Sequence, residues 1–516
     1  MRNTAVDGAA SGTSFDRRQS AAGPRIAILG AGFSGMTMAI QLQRRGWSNF
    51  VIYEKGDDVG GTWRENTYPG VACDVPSHLY SFSFEPNPDW SHRFSPGGEI
   101  LAYMKGVAAK HGLYDKIAFA KRATALAHDG AKWTIKFDDG SIAEADFLIS
   151  GIGGLHEPNI PDFDGAEDFA GPVFHTAQWR HDVDLAGKSV AIIGSAASAV
   201  QVIPEIARAV KDLHVFQRTP NWVMPRMDYA YPGWARALFN RAPWLARAYR
   251  GFYFNFLEWR FNSFRADDNY VKRLVRRTFD KHIKEHIDDP DLRARLTPDY
   301  PVGCKRILIS DAYFPALQRD NVHLVTGKID RFEAGGVRTE DGALIEADAI
   351  ILATGFKPFD LNASVEIKNA AGLTLKEAWA DGIYSHKTIA VPDFPNFFFL
   401  LGPNSGLGHN SVVLMIEAQV NYILQLMERA ADEGGPAALI APRAAATRAF
   451  DAALHEGLKH TVWAGGCKSW YLDDNGRNYT LYSGPVRQYL RDMAAPDLAD
   501  YTLTREERPA APAIGR

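Results

Sequence analysis

Two passages that read strand, glycine turn, helix, strand, and a stretch of helical periodicity set behind the second of them, predict an α/β chain of two Rossmann-like dinucleotide-binding domains with a helical insert in the second domain. In the first passage, Arg25-Ile-Ala-Ile-Leu-Gly30 is a short apolar run of the kind a parallel sheet buries on both faces. It ends in Gly30-Ala-Gly32-Phe33-Ser34-Gly35, a GxGxxG turn that opens into apolar positions at helical spacing, and Phe50-Val-Ile-Tyr-Glu54 then supplies a second strand closed by an acid. Gly30 suits the tight turn, Gly32 lets backbone approach a pyrophosphate, Gly35 lets helix and strand pack closely, and the helix start at Phe33 and Ser34 favours phosphate charge. Glu54 is placed to accept from ribose hydroxyls; a carboxylate there repels a 2′-phosphate, so the first nucleotide reads as FAD or NAD and not NADP.

The second passage is Ser189-Val-Ala-Ile-Ile-Gly194-Ser195-Ala-Ala197-Ser198-Ala199-Val-Gln201, followed by the strand Leu213-His-Val-Phe-Gln217-Arg218. Here the acid is replaced by Gln217 and Arg218, and an arginine fork suits a 2′-phosphate, so this site reads as NADP. Ala196 stands where the fingerprint has its second glycine, which should hold the pyrophosphate slightly away. Ser195, Ala197, Ser198 and Gln201 lie at the helix start as cofactor contacts. The bland reading of this motif alone is an empty repeat kept for packing.

Two further apolar strands, Asp146–Gly151 and Asp348–Gly355, end in glycine and return the chain between the nucleotide domains. Between Trp222 and Thr297 helical segments rich in Trp, Phe, Tyr and Arg read as an insert packed over a site, with Lys and Arg on its outer face; a stretch lying on a membrane surface is the lesser reading. The expected division is a loose tail over 1–24, a first nucleotide domain over 25–158 and 389–495, the latter with a substrate-side loop, a second over 159–225 and 301–388, the insert over 226–300, and a C-terminal tail over 496–516.

The 516 residues are 46% hydrophobic and 23% charged, too long for one core and too ordinary for a disordered chain. A net charge of −4 gives no basic footprint, so no nucleic acid partner is expected. Cys73, Cys304 and Cys467 form neither a CxxC pair nor a metal-ligand cluster, which fits a reducing compartment without structural disulfides. With no apolar leader and no run long enough to span a bilayer, a cytoplasmic location is expected.

From Arg25 to about Met493 the chain resembles the type I Baeyer–Villiger monooxygenases. Three motifs carry the resemblance. Phe169-Ala-Gly171-Pro-Val-Phe-His175-Thr-Ala-Gln-Trp179 is similar to the linker signature FxGxxxHxxxW, departing from the family in the Arg180 that follows. Gly60-Gly61-Thr62-Trp63-Arg-Glu-Asn-Thr-Tyr68-Pro69-Gly70-Val-Ala-Cys-Asp74 matches GGxWxxxxYPGxxxD throughout. Gly303-Cys-Lys305-Arg306 matches the family's Lys-Arg pair, with Ile307 where many members have proline.

The resemblance implies FAD, NADPH and dioxygen, a small-molecule ketone substrate, and insertion of oxygen beside its carbonyl through a peroxyflavin. Arg306 is then the catalytic cation that stabilises peroxide and oxyanion, because arginine alone keeps its proton throughout. Asp74 orients it. Lys305 joins Arg218 at the 2′-phosphate, while Gly61, Thr62, Trp63 and Tyr80 line the flavin. His175 and its linker read as structural, and Trp470 stands equally as part of a loop over the substrate or as core. Three other readings stay open: a flavin oxygenase of sulfur or nitrogen with the same architecture, a pyridine nucleotide–disulfide reductase, which needs a redox cysteine pair the sequence lacks, and a flavin-binding interaction protein without turnover.

Overall fold

The structure, a computed structural model, describes residues 23–357, 365–435, 438–465, 469–473 and 475–504. Nearly all of the expected N-terminal tail lies outside them.

Two five-stranded parallel sheets organise the chain. In the first, β1 (Ile26–Leu29) lies between β2 (Phe50–Tyr53) and β7 (Phe147–Ser150), with β3 (Ile117–Ala118) beyond β2 and β19 (Phe397–Phe399) beyond β7. In the second, β9 (Ser189–Ile193) lies between β10 (Asp212–Phe216) and β17 (Ala349–Leu352), with β13 (Val322–Val325) and β8 (Val173–His175) at the edges. Every residue of β1, β7 and β17 is buried, the reason these strands carry unbroken apolar runs instead of alternation. Helix α1 (Phe33–Arg44) follows β1 directly, the Thr62–Glu65 turn (α2) comes after β2, and α3 (Ala197–Ile206) follows β9.

A smaller sheet joins β4 (Ala123–His128), β5 (Trp133–Phe137) and β6 (Ile142–Ala145) to β18 (Glu366–Lys368). The chain has thus already returned to the first unit at Glu366, ahead of the boundary at 389 read from the sequence, and we propose to place the return there. The C-terminal boundary moves as well: Tyr501–Thr504, expected within a tail, form a strand against Leu439–Pro442, because Tyr501 is a buried aromatic whose hydroxyl donates to that of Tyr422 at 3.2 Å.

The insert leaves the second unit between β11 (Val223–Met224) and β12 (Leu308–Ile309), which pair in parallel and close its neck. It contains α4 (Gly233–Arg241), α5 (Pro243–Arg260) and α6 (Tyr270–His286), the last capped by Asn269, whose side chain accepts from Lys272 N at 3.1 Å. Arg273, Arg276, Arg277, Lys281 and Lys284 of α6 are exposed, the basic outer face expected. On α5 that expectation holds for Arg247, which is exposed, but not for Arg250. Ala246 is buried, Tyr253 and Leu257 face inward toward Leu79 and Val75, and Arg250 turns inward to donate to the carbonyl oxygens of His78, Leu79 and Ser81. Helical spacing then leaves Trp244, Phe252, Phe256 and Trp259 in solvent.

Candidate active site

The first glycine turn carries the features of a phosphate cradle. A Cβ on Gly35 would lie 1.9 Å from Gly30 O, so that position admits no side chain. A Cβ on Gly32 meets nothing nearer than Gly61 Cα at 3.7 Å, so what keeps Gly32 bare is the space in front of it and not its protein neighbours. No side chain caps α1 at Gly32, which leaves its first N–H groups to an anion. Glu54 is buried at the end of β2, accepting from Ala31 N at 2.7 Å, Gly56 N at 2.8 Å and Arg64 Nη2 at 3.0 Å. A carboxylate has about four acceptor directions, so one remains for a ribose hydroxyl. Arg64 compensates the buried charge, a partner the sequence reading did not find.

The second turn differs. Its helix α3 also lacks a side-chain cap, with Ala196 at the N-cap position. Most of the polar residues expected at this cofactor site have protein partners. Ser195 Oγ donates to Thr219 O at 3.3 Å, Gln217 Nε2 donates to Arg295 O at 2.9 Å, and Ser198 is bonded to Tyr68. Gln201 accepts from Tyr68 Oη and donates to Ala72 O, both at 2.9 Å, clasping the second unit to the loop of the GGxW motif. Arg218 is exposed and has no ion pair among the described residues. Lys305 is half-buried with its Nζ 4.9 Å from the Tyr300 ring centre. Burial first, and then the charge of Arg218, pull the Lys305 pKa below the ordinary lysine value. Two neighbouring cations in this state fit a doubly charged phosphate.

Between the units, the loop after α2 brings Asp74 to Arg306, more than two hundred residues further along, and the two form an ion pair. Asp74 holds the guanidinium pKa above its ordinary value, against the opposing effect of burial. Arg306 remains 40% exposed, so its charge reaches solvent where the two units meet. Tyr68, Cys73, Tyr80 and Tyr471 all feel that charge, which locates them around it. Trp63 Nε1 donates to Tyr80 Oη at 3.3 Å, and Tyr80 stands edge-on to Phe33 at 5.2 Å, so the GGxW loop and the first glycine turn share one aromatic wall. Thr62 begins α2, its carbonyl accepting from the Asn66 side chain at 2.9 Å.

His175 is buried, with Nδ1 accepting from Ala177 N at 3.1 Å at the start of the 3-10 turn Thr176–Gln178, the structural place expected of it. Tyr471, absent from the sequence reading, is buried beside Arg306, while its neighbour Trp470 is 44% exposed, its ring tilted against that of Tyr471 at 4.5 Å. Trp470 is therefore not core. Arg260, at the end of α5, extends its field to Asp74 and was also missed. Lys387, Thr388, Leu401 and Asn404, all at positive φ, cluster beyond the C-terminal end of β19, the edge at which open parallel sheets bind ligands. No sequence pattern announces such non-glycine conformations.

The cysteine reading is corrected in part. Cys73 is free and buried, but Cys304, next to Lys305, is disulfide-bonded; Cys467 lies outside the described residues. Residues distant in sequence are drawn together here, as the bond from Trp463 Nε1 to Gly303 O at 3.0 Å shows. Spacing along the chain was the wrong measure.

Known proteins resemble the chain over most of its length. A family model described as pyridine nucleotide-disulphide oxidoreductase matches residues 27–241. A Baeyer–Villiger monooxygenase of Streptomyces coelicolor is 42% identical over 497 residues, 95% of this chain and 94% of the relative. Among solved structures, an oxidised steroid monooxygenase bound to NADP is 28% identical with a TM-score of 0.82, over 94% of this chain and 100% of that one. OTEMO in complex with FAD and NADP is 26% identical with a TM-score of 0.82, over 93% of this chain and 99% of that one.

Proposed function

The chain belongs to the Baeyer–Villiger monooxygenase family, a flavoprotein oxidoreductase working with FAD and NADPH, and we propose that it inserts one oxygen atom of dioxygen beside the carbonyl of a ketone to give an ester or lactone. The observation that carries this reading is the Arg306–Asp74 ion pair at the junction of the two nucleotide units, and we take that junction as the reacting cleft. When bound, the flavin would take hydride from NADPH and activate dioxygen, which supplies the inserted oxygen atom.

The chain's own residues do the rest. Gly30, Gly32 and the uncapped start of α1 receive the flavin pyrophosphate, Glu54 takes a ribose hydroxyl, and Gly61, Thr62, Trp63 and Tyr80 form the wall along the ring. Gly194 and the start of α3 receive the second pyrophosphate, and Arg218 with Lys305 binds the 2′-phosphate. Arg306 holds a fixed positive charge where negative charge develops on the substrate's carbonyl oxygen, and its proton stays on the guanidinium throughout. Asp74 fixes that guanidinium in direction. We place the reaction in the cytoplasm; among the described residues no helix is long and apolar enough to cross a membrane.

Incubating the purified protein with NADPH, ¹⁸O-labelled dioxygen and a panel of cyclic, aryl and aliphatic ketones tests the reading. One labelled oxygen in an ester or lactone is expected. Oxidation of thioethers with no ester from any ketone would assign the cleft to heteroatom chemistry instead.

A further inference from the structure

The aromatic face of the insert takes no part in the cleft. On α5, Trp244 is 62% exposed, Phe252 61%, Phe256 40% and Trp259 40%, and on α4 Trp234 is 72% exposed. At 100° per residue the four α5 positions fall within about 120° of the helix circumference. Phe252 stacks on Phe256 at 6.4 Å and Phe256 approaches Trp259 at 6.1 Å, so these three rings form one contiguous strip, with Trp244 on the same side of the helix. A strip of this size on a folded surface marks something it docks against.

Charge identifies the kind of partner. From Tyr229 to Leu257 the sequence contains four arginines and no acidic residue, within a chain whose net charge is −4. Arg250 is used inside the fold, while Arg241 and Arg247 are exposed beside the strip. The flanking acids are turned away. Asp228 accepts from Phe94 N at 3.1 Å, and the Glu258 carboxylate accepts from Asn410 Nδ2 at 3.0 Å and from Val486 N and Arg487 N at 3.1 and 2.9 Å. Two copies packed through this face would set its arginines near one another, with Asp89, exposed and accepting from Asn240 Nδ2 of α4 at 2.6 Å, an acid at the edge of the face.

We propose that α4 and α5 form a docking surface for an anionic lipid membrane, with the Trp and Phe side chains at the boundary of headgroups and acyl chains and Arg241 and Arg247 on the headgroups. Trp, Phe and Arg in this arrangement are the composition of a helix that lies in the membrane interface. The docked helix ends at Arg260, and the turn that follows carries Phe264, which lies under Gly303, three residues before Arg306. The cleft therefore stands at the end of the surface where an apolar substrate would arrive from lipid.

Co-sedimentation of the FAD-loaded full chain with vesicles, in the absence of any ketone, reads docking independently of the proposed reaction. Binding to equal phosphatidylcholine and phosphatidylglycerol, weakened by added salt, is expected to exceed binding to phosphatidylcholine alone. The triple variant Trp244→Ser/Phe252→Ser/Trp259→Ser should lose about tenfold or more in partitioning, since each ring carries a large apolar area into the interface. Arg241→Glu/Arg247→Glu should lose about tenfold or more on the anionic vesicles and little on the neutral ones. Both variants should keep bound flavin and vesicle-free NADPH oxidation, as all five positions are on the surface. Full chain that stays in the supernatant with both vesicles would overturn the proposal. So would a triple variant that sediments like the parent, or a concentration-dependent dimer abolished by the triple variant, which would make the face an interface between copies.

Discussion

The two nucleotide units share a sheet, a turn and a helix, yet they prepare their cofactor sites in opposite ways. In the first, the selective group is already committed: Glu54 is buried, neutralised by Arg64 and bonded to the backbone of the turn it controls. In the second, the selective groups stand incomplete: Arg218 lies close enough to depress the Lys305 pKa, against the weaker pull of Asp299, and among the described residues neither cation forms an ion pair. On the proposed assignment, the first site is a finished socket for a flavin and the second a charge deficit for a phosphate. Specificity on a common fold would then be set at the end of the second strand, by whether the residue there is satisfied without ligand.

The sharpest way to break this comparison is at Gly32. Because its Cβ would meet no protein atom closer than 3.7 Å, Gly32→Val should fold and yet lose flavin, with affinity falling roughly a hundredfold or more as the charged hydrogen bonds at the helix start are blocked. Absorbance of the purified variant at flavin wavelengths, set beside its circular dichroism, checks it; full flavin content would show the cradle lies elsewhere. Next in size is Arg218→Ala, which should raise the apparent constant for NADPH by about ten- to several-hundredfold and leave NADH nearly unchanged. Equal losses for both nucleotides would remove Arg218 from the phosphate.

Two smaller effects sharpen the contrast. Lys305 is charged below its pKa, and that pKa is lowered, so its attraction for the 2′-phosphate should fade as pH rises, earlier than for an ordinary lysine. The ratio of the Michaelis constants for NADPH and NADH should therefore climb in the alkaline range, and the climb should disappear in Lys305→Met. Ala196→Gly, restoring the glycine of the first turn in the second, should tighten NADPH only a few-fold, visible by titration of the flavin-loaded protein.

How much of this was legible in the sequence follows from how local each feature is. Gly30, Gly35, Glu54 and Arg218 act within one βαβ unit, and their spacing alone assigns them a task. The β strands beside them read clearly because burial on both faces leaves unbroken apolar runs. Arg306 and Asp74 read only through the motifs that contain them, since nothing in the chain between them says they will touch. Arg64, Tyr471 and Arg260 went unseen because their importance lies in which charge they face, a property of the closed fold. The exposed rings of α5 were misjudged for the same reason: its amphipathic pattern is plain, but which side faces the body depends on where Arg250 finds its carbonyl oxygens.

The central claim is that Arg306 supplies the charge on which oxygen insertion depends, and rapid-mixing spectroscopy of Arg306→Ala with product analysis tests it most directly. The variant should bind FAD and be reduced by NADPH at close to the parental rate, and ester formation should fall by on the order of 10² to 10³. Arg306→Lys should not restore it, because an ammonium lacks the planar fork and can lose its proton in a desolvated site. Ester production by Arg306→Ala at the parental rate would contradict the account and detach the ion pair with Asp74 from the chemistry.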